Sequence, residues 1–217
     1  MKPETRDIVI AAVALAIVGC CGFSIAHIAT GKGSYFGLCN IIMPALASLG
    51  GIAASVLMTL FLALKYCSGS LLITKGLPTL AAVYSAQATK PSYITLLLNV
   101  IVPIGIAAAF IAHPVGGAAW TYTLFWLIPV SCEIVRRYGM HSLFTRLLAA
   151  TFVAHAVGSV IWLYSMPTTP ATWLGLLAIV PAERLIFASG ATLAASLFTA
   201  IKQLMIKTKT VHIAQNI

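Results

Sequence analysis

Six apolar stretches follow one another along this chain, at 8–29, 36–64, 93–112, 118–135, 143–165 and 172–201. Each approaches or exceeds the run of about 20 residues that a helix needs to cross a bilayer. Runs of this kind leave little besides a bundle of membrane helices. In hydrocarbon every backbone N–H and C=O must be satisfied within the protein, and a helix does so within its own segment. A seventh stretch, 71–86, is shorter and contains Lys75-Gly76-Leu77-Pro78. The proline ring and its missing N–H predict a break there, so this segment is expected to be re-entrant or tilted. The predicted fold is all-α, a single polytopic membrane helix bundle over residues 1–217 with six transmembrane helices plus that short segment.

Composition agrees. Charged residues make up 8% of the chain, against about 25% in soluble domains, and the mean hydropathy is +1.01. So little charge leaves a folded chain no way to cover itself in water. The formal net charge of +9 does not point to nucleic acid, because the cations sit between apolar runs and not on one face with interleaved aromatics. The positive-inside bias of loops accounts for them. With 71–86 not crossing and the N-terminus inside, Lys2, Arg6, Lys65, Lys75, Lys90, Arg136, Arg137, Arg146, Lys202, Lys207 and Lys209 share one side and Lys32 lies opposite. The predicted location is the inner (plasma) membrane, multi-pass, with both termini cytoplasmic. Lys2 and Arg6 before the run ending Ile17-Val18-Gly19-Cys20 have the look of a lipoprotein signal. The run continues to Ala29 and Glu4 and Asp7 dilute the basic region, so a first transmembrane helix is expected. The five cysteines, Cys20, Cys21, Cys39, Cys67 and Cys132, show no metal-ligand spacing. No metal or cofactor is expected.

Small residues at four-residue spacing mark faces where helix backbones approach closely. They are Ala12 and Ala16; Ala47, Gly51 and Ser55; Ala150, Ala154 and Gly158; Ala191 and Ala195. Most such faces serve internal packing, and Ala12/Ala16 is the candidate for docking a partner's helix.

Polar groups at membrane depth are costly, so they mark candidate sites. Thr151, His155 and Ser159, followed by Trp162, form one stripe along a helix face. Glu183 and Arg184 fall near the middle of the last span, just after Pro181. Their side chains leave the helix about 100° apart, so each is expected to meet a partner on another helix, a water or a ligand, with His155 suited to Glu183. A structural ion pair is the bland alternative. Glu133 is expected to pair with Arg136 and Arg137, one turn away. His27, His113, Trp120, Tyr122, Trp162, Tyr164 and Trp173 gather toward the outer side. Half of such a belt is ordinary interfacial anchoring; the rest could stack on a flat ligand. His113-Pro-Val-Gly-Gly could bring backbone close to one. Pro103, Pro129 and Pro181 predict bends around a cavity.

There is no nucleotide-binding glycine loop, no HExxH and no second catalytic group beside His155. Catalytic residues are therefore not assigned and an enzyme is not expected.

Six helices in so short a chain, an outward pocket and the Ala12/Ala16 face together resemble the substrate-binding S components of energy-coupling-factor transporters. The resemblance implies uptake of a vitamin-like small molecule, with a separate membrane scaffold subunit and ATPases as partners and Ala12/Ala16 docking the scaffold. The Gly-Gly after Pro114 is only distantly similar to a loop of biotin-binding members, and the substrate stays open. On this reading Arg184 meets an anionic group of the ligand, Trp120, Tyr122 and Trp162 stack beside it, and His155, Ser159, Glu183 and His113 set its polarity. Self-sufficient permeation with His155 and Glu183 as titrating groups, or a lipid-directed enzyme, are the alternatives.

Overall fold

The structure, a computed structural model, describes residues 24–26, 35–37, 39–65, 67–87 and 89–215, with side chains over 41–65, 67–87, 89–201 and 203. Ala12, Ala16, His27 and most of the 8–29 run lie outside the described residues. A short antiparallel ladder pairs β1 (Ser24–Ala26) with β2 (Tyr35–Gly37). All other described elements are helical. The strands correct two expected boundaries: the first run is not helical at 24–26, and the second helix starts at Cys39, not Phe36.

Helix α1 spans Cys39–Lys65 and bends at Gly51, whose φ of 59° and ψ of −143° suit only a residue without a Cβ. Helix α2 is continuous through Gly69–Leu71, a wide π turn at Leu72–Gly76, and Leu77–Gln87. Helix α3 has the same build: Tyr93–Leu96, a π turn at Leu97–Ile101, and Val102–Ala112. The short α4 (Pro114–Ala118) leads into a 3-10 turn at Trp120–Trp126 and then α5 (Leu127–Arg137). Helix α6 is Leu143–Ser165. Helix α7 begins as Pro170–Gly175, tightens through a 3-10 turn at Leu176–Ala178 and continues over Ile179–Gln215.

The expected break at Pro78 does not occur. The turn before it widens, so that Leu77 donates to the carbonyl of Leu72, five residues back, and the proline ring follows without ending the helix. Val102 donates to Leu97 in the same way ahead of Pro103. Segment 71–86 is therefore no hairpin. As one helix over 69–87 it is about 28 Å long at 1.5 Å per residue. Its second half packs between α1 and α6, where Gly158 of α6 faces the Pro78 ring and Thr59 of α1 meets the Tyr84 hydroxyl at 3.1 Å.

Cross-contacts order the ends. At one end His113 packs on Tyr164, the Tyr164 hydroxyl donates to the carbonyl of Ala109, and α4 touches Pro170–Gly175. At the other, Arg137 reaches the Ser92 carbonyl, Ser85 donates to Asn99, and Arg146 reaches the Ser48 carbonyl. We call these the aromatic end and the arginine end. Neighbouring helices from α1 onward alternate in direction between them, and the α1–α2 turn lies at the aromatic end. Among the described residues, four helices are long and apolar enough to cross a membrane: Ile41–Lys65, Tyr93–Ala112, Leu143–Ser165 and Pro170–Ile201. The chain is an integral membrane protein.

The small-residue faces of α1, α6 and α7 pack internally. Ala47, Ser55, Ala150, Ala191 and Ala195 are buried without exposure, and Gly190 of α7 faces Ile41 of α1. Large apolar side chains point the other way: Ile52, Leu60, Leu64, Ile186, Leu193 and Leu197 are all more than half exposed. That is inside-out for water and ordinary for lipid.

Candidate functional site

The stripe on α6 turns inward. Thr151 and Ser159 are buried, and Thr151 satisfies its hydroxyl on the Leu148 carbonyl at 2.9 Å. His155, near the middle of α6, shares a hydrogen bond of 2.7 Å between Nε2 and the hydroxyl of Tyr122. Tyr122 is buried without exposure because the 3-10 turn at Trp120–Trp126 points it at the bundle axis. Ser159 and the charges of Arg184 and Glu183 also act on that hydroxyl. Five of the eight expected site residues, Tyr122, His155, Ser159, Glu183 and Arg184, therefore converge at mid-depth.

Glu183 and Arg184 meet each other, which their angular offset did not predict. They bond to each other at 2.6 Å, with Arg184 5% and Glu183 17% exposed. The offset describes where the two side chains leave the helix, and the long arginine stem reaches back around it. The Arg184 guanidinium also lies 4.7 Å over the Phe187 ring, one turn on, in a cation–π contact.

Above this cluster the rings pack against one another. Phe110 meets Trp126 at 5.2 Å and Trp173 at 5.0 Å, both edge to face, and Tyr122 meets Trp173 at 5.0 Å. Such pairs add about 0.5–1.5 kcal/mol each beyond their buried area. Trp162 joins from the side, 5.4 Å from Trp173, and its indole N–H donates to the Met166 sulfur. Trp120 is not part of the group: it is 53% exposed and turned outward. His113 is at the rim, where its Nδ1 accepts from the Val115 N–H and caps α4. The glycines beside it serve the chain's own packing, since a Cβ on Gly116 would strike the carbonyl of Phe110.

A second polar cluster occupies the arginine end. Glu133 is 1% exposed and pairs with Arg136 and Arg137, as the one-turn spacing predicted. It also accepts from Thr95 at 3.1 Å and from Asn99 at 3.2 Å, and Asn99 in turn accepts from Ser85 at 2.5 Å. Thr95, Asn99 and Ser85 were missed in the sequence. A usable signal existed: Thr95 and Asn99 lie four apart, on one face of an otherwise apolar run.

Compared with known proteins, the chain matches no family model, no curated protein and no solved structure.

Proposed function

We propose that the protein is the membrane-embedded substrate-binding subunit of an uptake system for a small, vitamin-like molecule, working with a separate scaffold and ATPases. The observation that carries this reading is the Tyr122–His155 hydrogen bond set beside the buried Glu183–Arg184 pair at mid-depth. Holding these groups away from water is expensive, and such groups in membrane proteins characteristically serve a substrate or ion path. Donors, acceptors and both charge signs meet there beneath aromatic rings, which suits a flat ligand with an anionic group. In the ligand-bound state Arg184 turns to the anion, and Trp162 and Trp173 line its entry. Copurification from the native membrane in mild detergent should recover a membrane scaffold and paired ATPases. Recovery of the protein alone, under conditions that keep a known transporter intact, would contradict this reading. It would favour a proton-coupled permease, for which the hydrogen-bonded, titratable His155 is the supporting feature.

The reading places the arginine end in the cytoplasm. Lys90, Arg136, Arg137 and Arg146 belong to that end, and α7 runs on past it toward Lys202, Lys207 and Lys209. The aromatic end has Lys65 and Lys75. The bias agrees with the positive-inside rule, with the C-terminus inside, six described helices crossing and α2 among them. Lys65 and Lys75, expected inside, thereby move to the outer side. Cys67, exposed in the α1–α2 turn, reports on this directly. With Cys20, Cys21, Cys39 and Cys132 replaced by serine, a membrane-impermeant maleimide should label Cys67 on intact cells. Labelling only after permeabilisation would mean that α2 does not cross.

A further inference from the structure

We infer that the arginine end contains a binding site for a phosphate group, centred on Arg146 in the crevice between α3, α5 and α6. The crevice is small, about 10 Å³, room for about one water or one ligand oxygen, and is lined by Asn99, Glu133, Arg136, Thr145 and Arg146, among others. Its charges do not balance. One carboxylate, Glu133, stands against the three guanidiniums of Arg136, Arg137 and Arg146. Both Glu133 oxygens are already engaged by Thr95, Asn99, Arg136 and Arg137. Arg137 is 42% exposed and shares its charge with water. Arg146 has no carboxylate partner among the described residues and is partly buried. Its Nε–H is buried and meets no acceptor among the described residues, while its terminal nitrogen makes only a long contact, 3.4 Å, to the Ser48 carbonyl. Across the crevice the Arg136 charge acts on it with the same sign.

A buried guanidinium N–H without an acceptor, facing a second cation, costs stability unless an anion completes the group. A phosphate oxygen at the crevice mouth would accept from Arg146 Nε and relieve the repulsion. Arginine's fixed fork of donors suits such an oxyanion. The bend of α1 at Gly51 contributes, because it leaves the Ser48 carbonyl near the end of a helical half, where Arg146 is held. The crevice shares no lining residue with the Tyr122–His155 cluster. The phosphate could belong to an anionic lipid headgroup at the membrane face or to free phosphate in solution, and the two sources separate by experiment.

The full-length protein, stripped of lipid in an uncharged detergent, is melted in inorganic phosphate and in chloride at equal ionic strength. In parallel it is exposed to phosphatidylcholine vesicles containing phosphatidylglycerol, then analysed by native mass spectrometry. Stabilisation specific to phosphate assigns the soluble source; preferential retention of phosphatidylglycerol assigns the headgroup. In either case Arg146→Gln should weaken the response about tenfold or more, as expected for loss of a charge-assisted hydrogen bond. Arg137→Gln, with the same change in net charge, should stay within about twofold. If Arg146→Gln does not fold, Arg146→Lys keeps the cation, removes the Nε–H donor and should still lose affinity several-fold. Wild-type protein indifferent to both probes, or equal loss in the Arg146 and Arg137 variants, would overturn the assignment.

Discussion

Glu133→Ala should lower the stability of the purified protein by about 3–5 kcal/mol, seen as a large fall in melting temperature followed by tryptophan fluorescence. Glu133 is 1% exposed and joins α3 to α5 through Thr95 and Asn99 while neutralising Arg136, itself buried. Removing it leaves the Arg136 charge in a nearly dry site and takes the acceptor from the Asn99 amide of α3. The loss therefore greatly exceeds that of an exposed ion pair. Arg137→Ala provides the contrast: the side chain is 42% exposed, water replaces what the pair supplied, and the change should be under about 1 kcal/mol. Equal losses in the two variants would mean that the cluster is not buried as described.

The second large effect concerns Glu183 and Arg184. Glu183→Ala alone leaves a 5%-exposed guanidinium at mid-depth, and Arg184→Ala alone leaves a carboxylate there. Each single variant should lose about 3–5 kcal/mol. The double variant Glu183→Ala/Arg184→Ala strands neither charge and should recover most of that loss. If the pair served only to fix helix register, the recovered double variant would keep full activity. As a binding element it should fold and yet fail to bind. Melting curves and ligand retention, measured on the same preparations, separate the two roles. Additive losses in the double variant would show that the two residues are not coupled.

Much of this fold could be read directly from hydropathy. The runs at 93–112 and 143–165 coincide with the helices Tyr93–Ala112 and Leu143–Ser165, and 172–201 lies within Pro170–Ile201. What hydropathy did not show was the treatment of prolines. Pro78 and Pro103 each follow a π turn, and Pro129 and Pro181 each follow a 3-10 turn. Shifting the hydrogen-bond register just before the ring accommodates its missing N–H, so a proline that reads as a helix end is carried inside a helix. The consequence at 71–86 was a segment read as broken that packs at the centre of the bundle.

The geometry of the candidate site was legible to a similar depth. Spacing of three or four residues correctly paired Glu133 with Arg136 and Arg137 and placed Thr151, His155 and Ser159 on one inward face. Adjacency misled at Glu183–Arg184, where side-chain length outweighed the offset in direction. The bond from His155 to Tyr122 spans 33 residues, and no local pattern encodes it. It requires the 3-10 turn at Trp120–Trp126, which also turns Trp120 outward and Trp126 inward.

If the mid-depth cluster is a binding site, the most direct measurement is of what the protein carries. Protein purified from its native membrane without added ligand should release, on denaturation, a small molecule detectable by mass spectrometry in near-stoichiometric amount. His155→Ala and the Glu183→Ala/Arg184→Ala double variant, folded by their melting curves, should release little or none. The same molecule in equal amount from wild type and both variants, or none from any of them, would contradict the assignment of Tyr122, His155, Glu183 and Arg184 as the site.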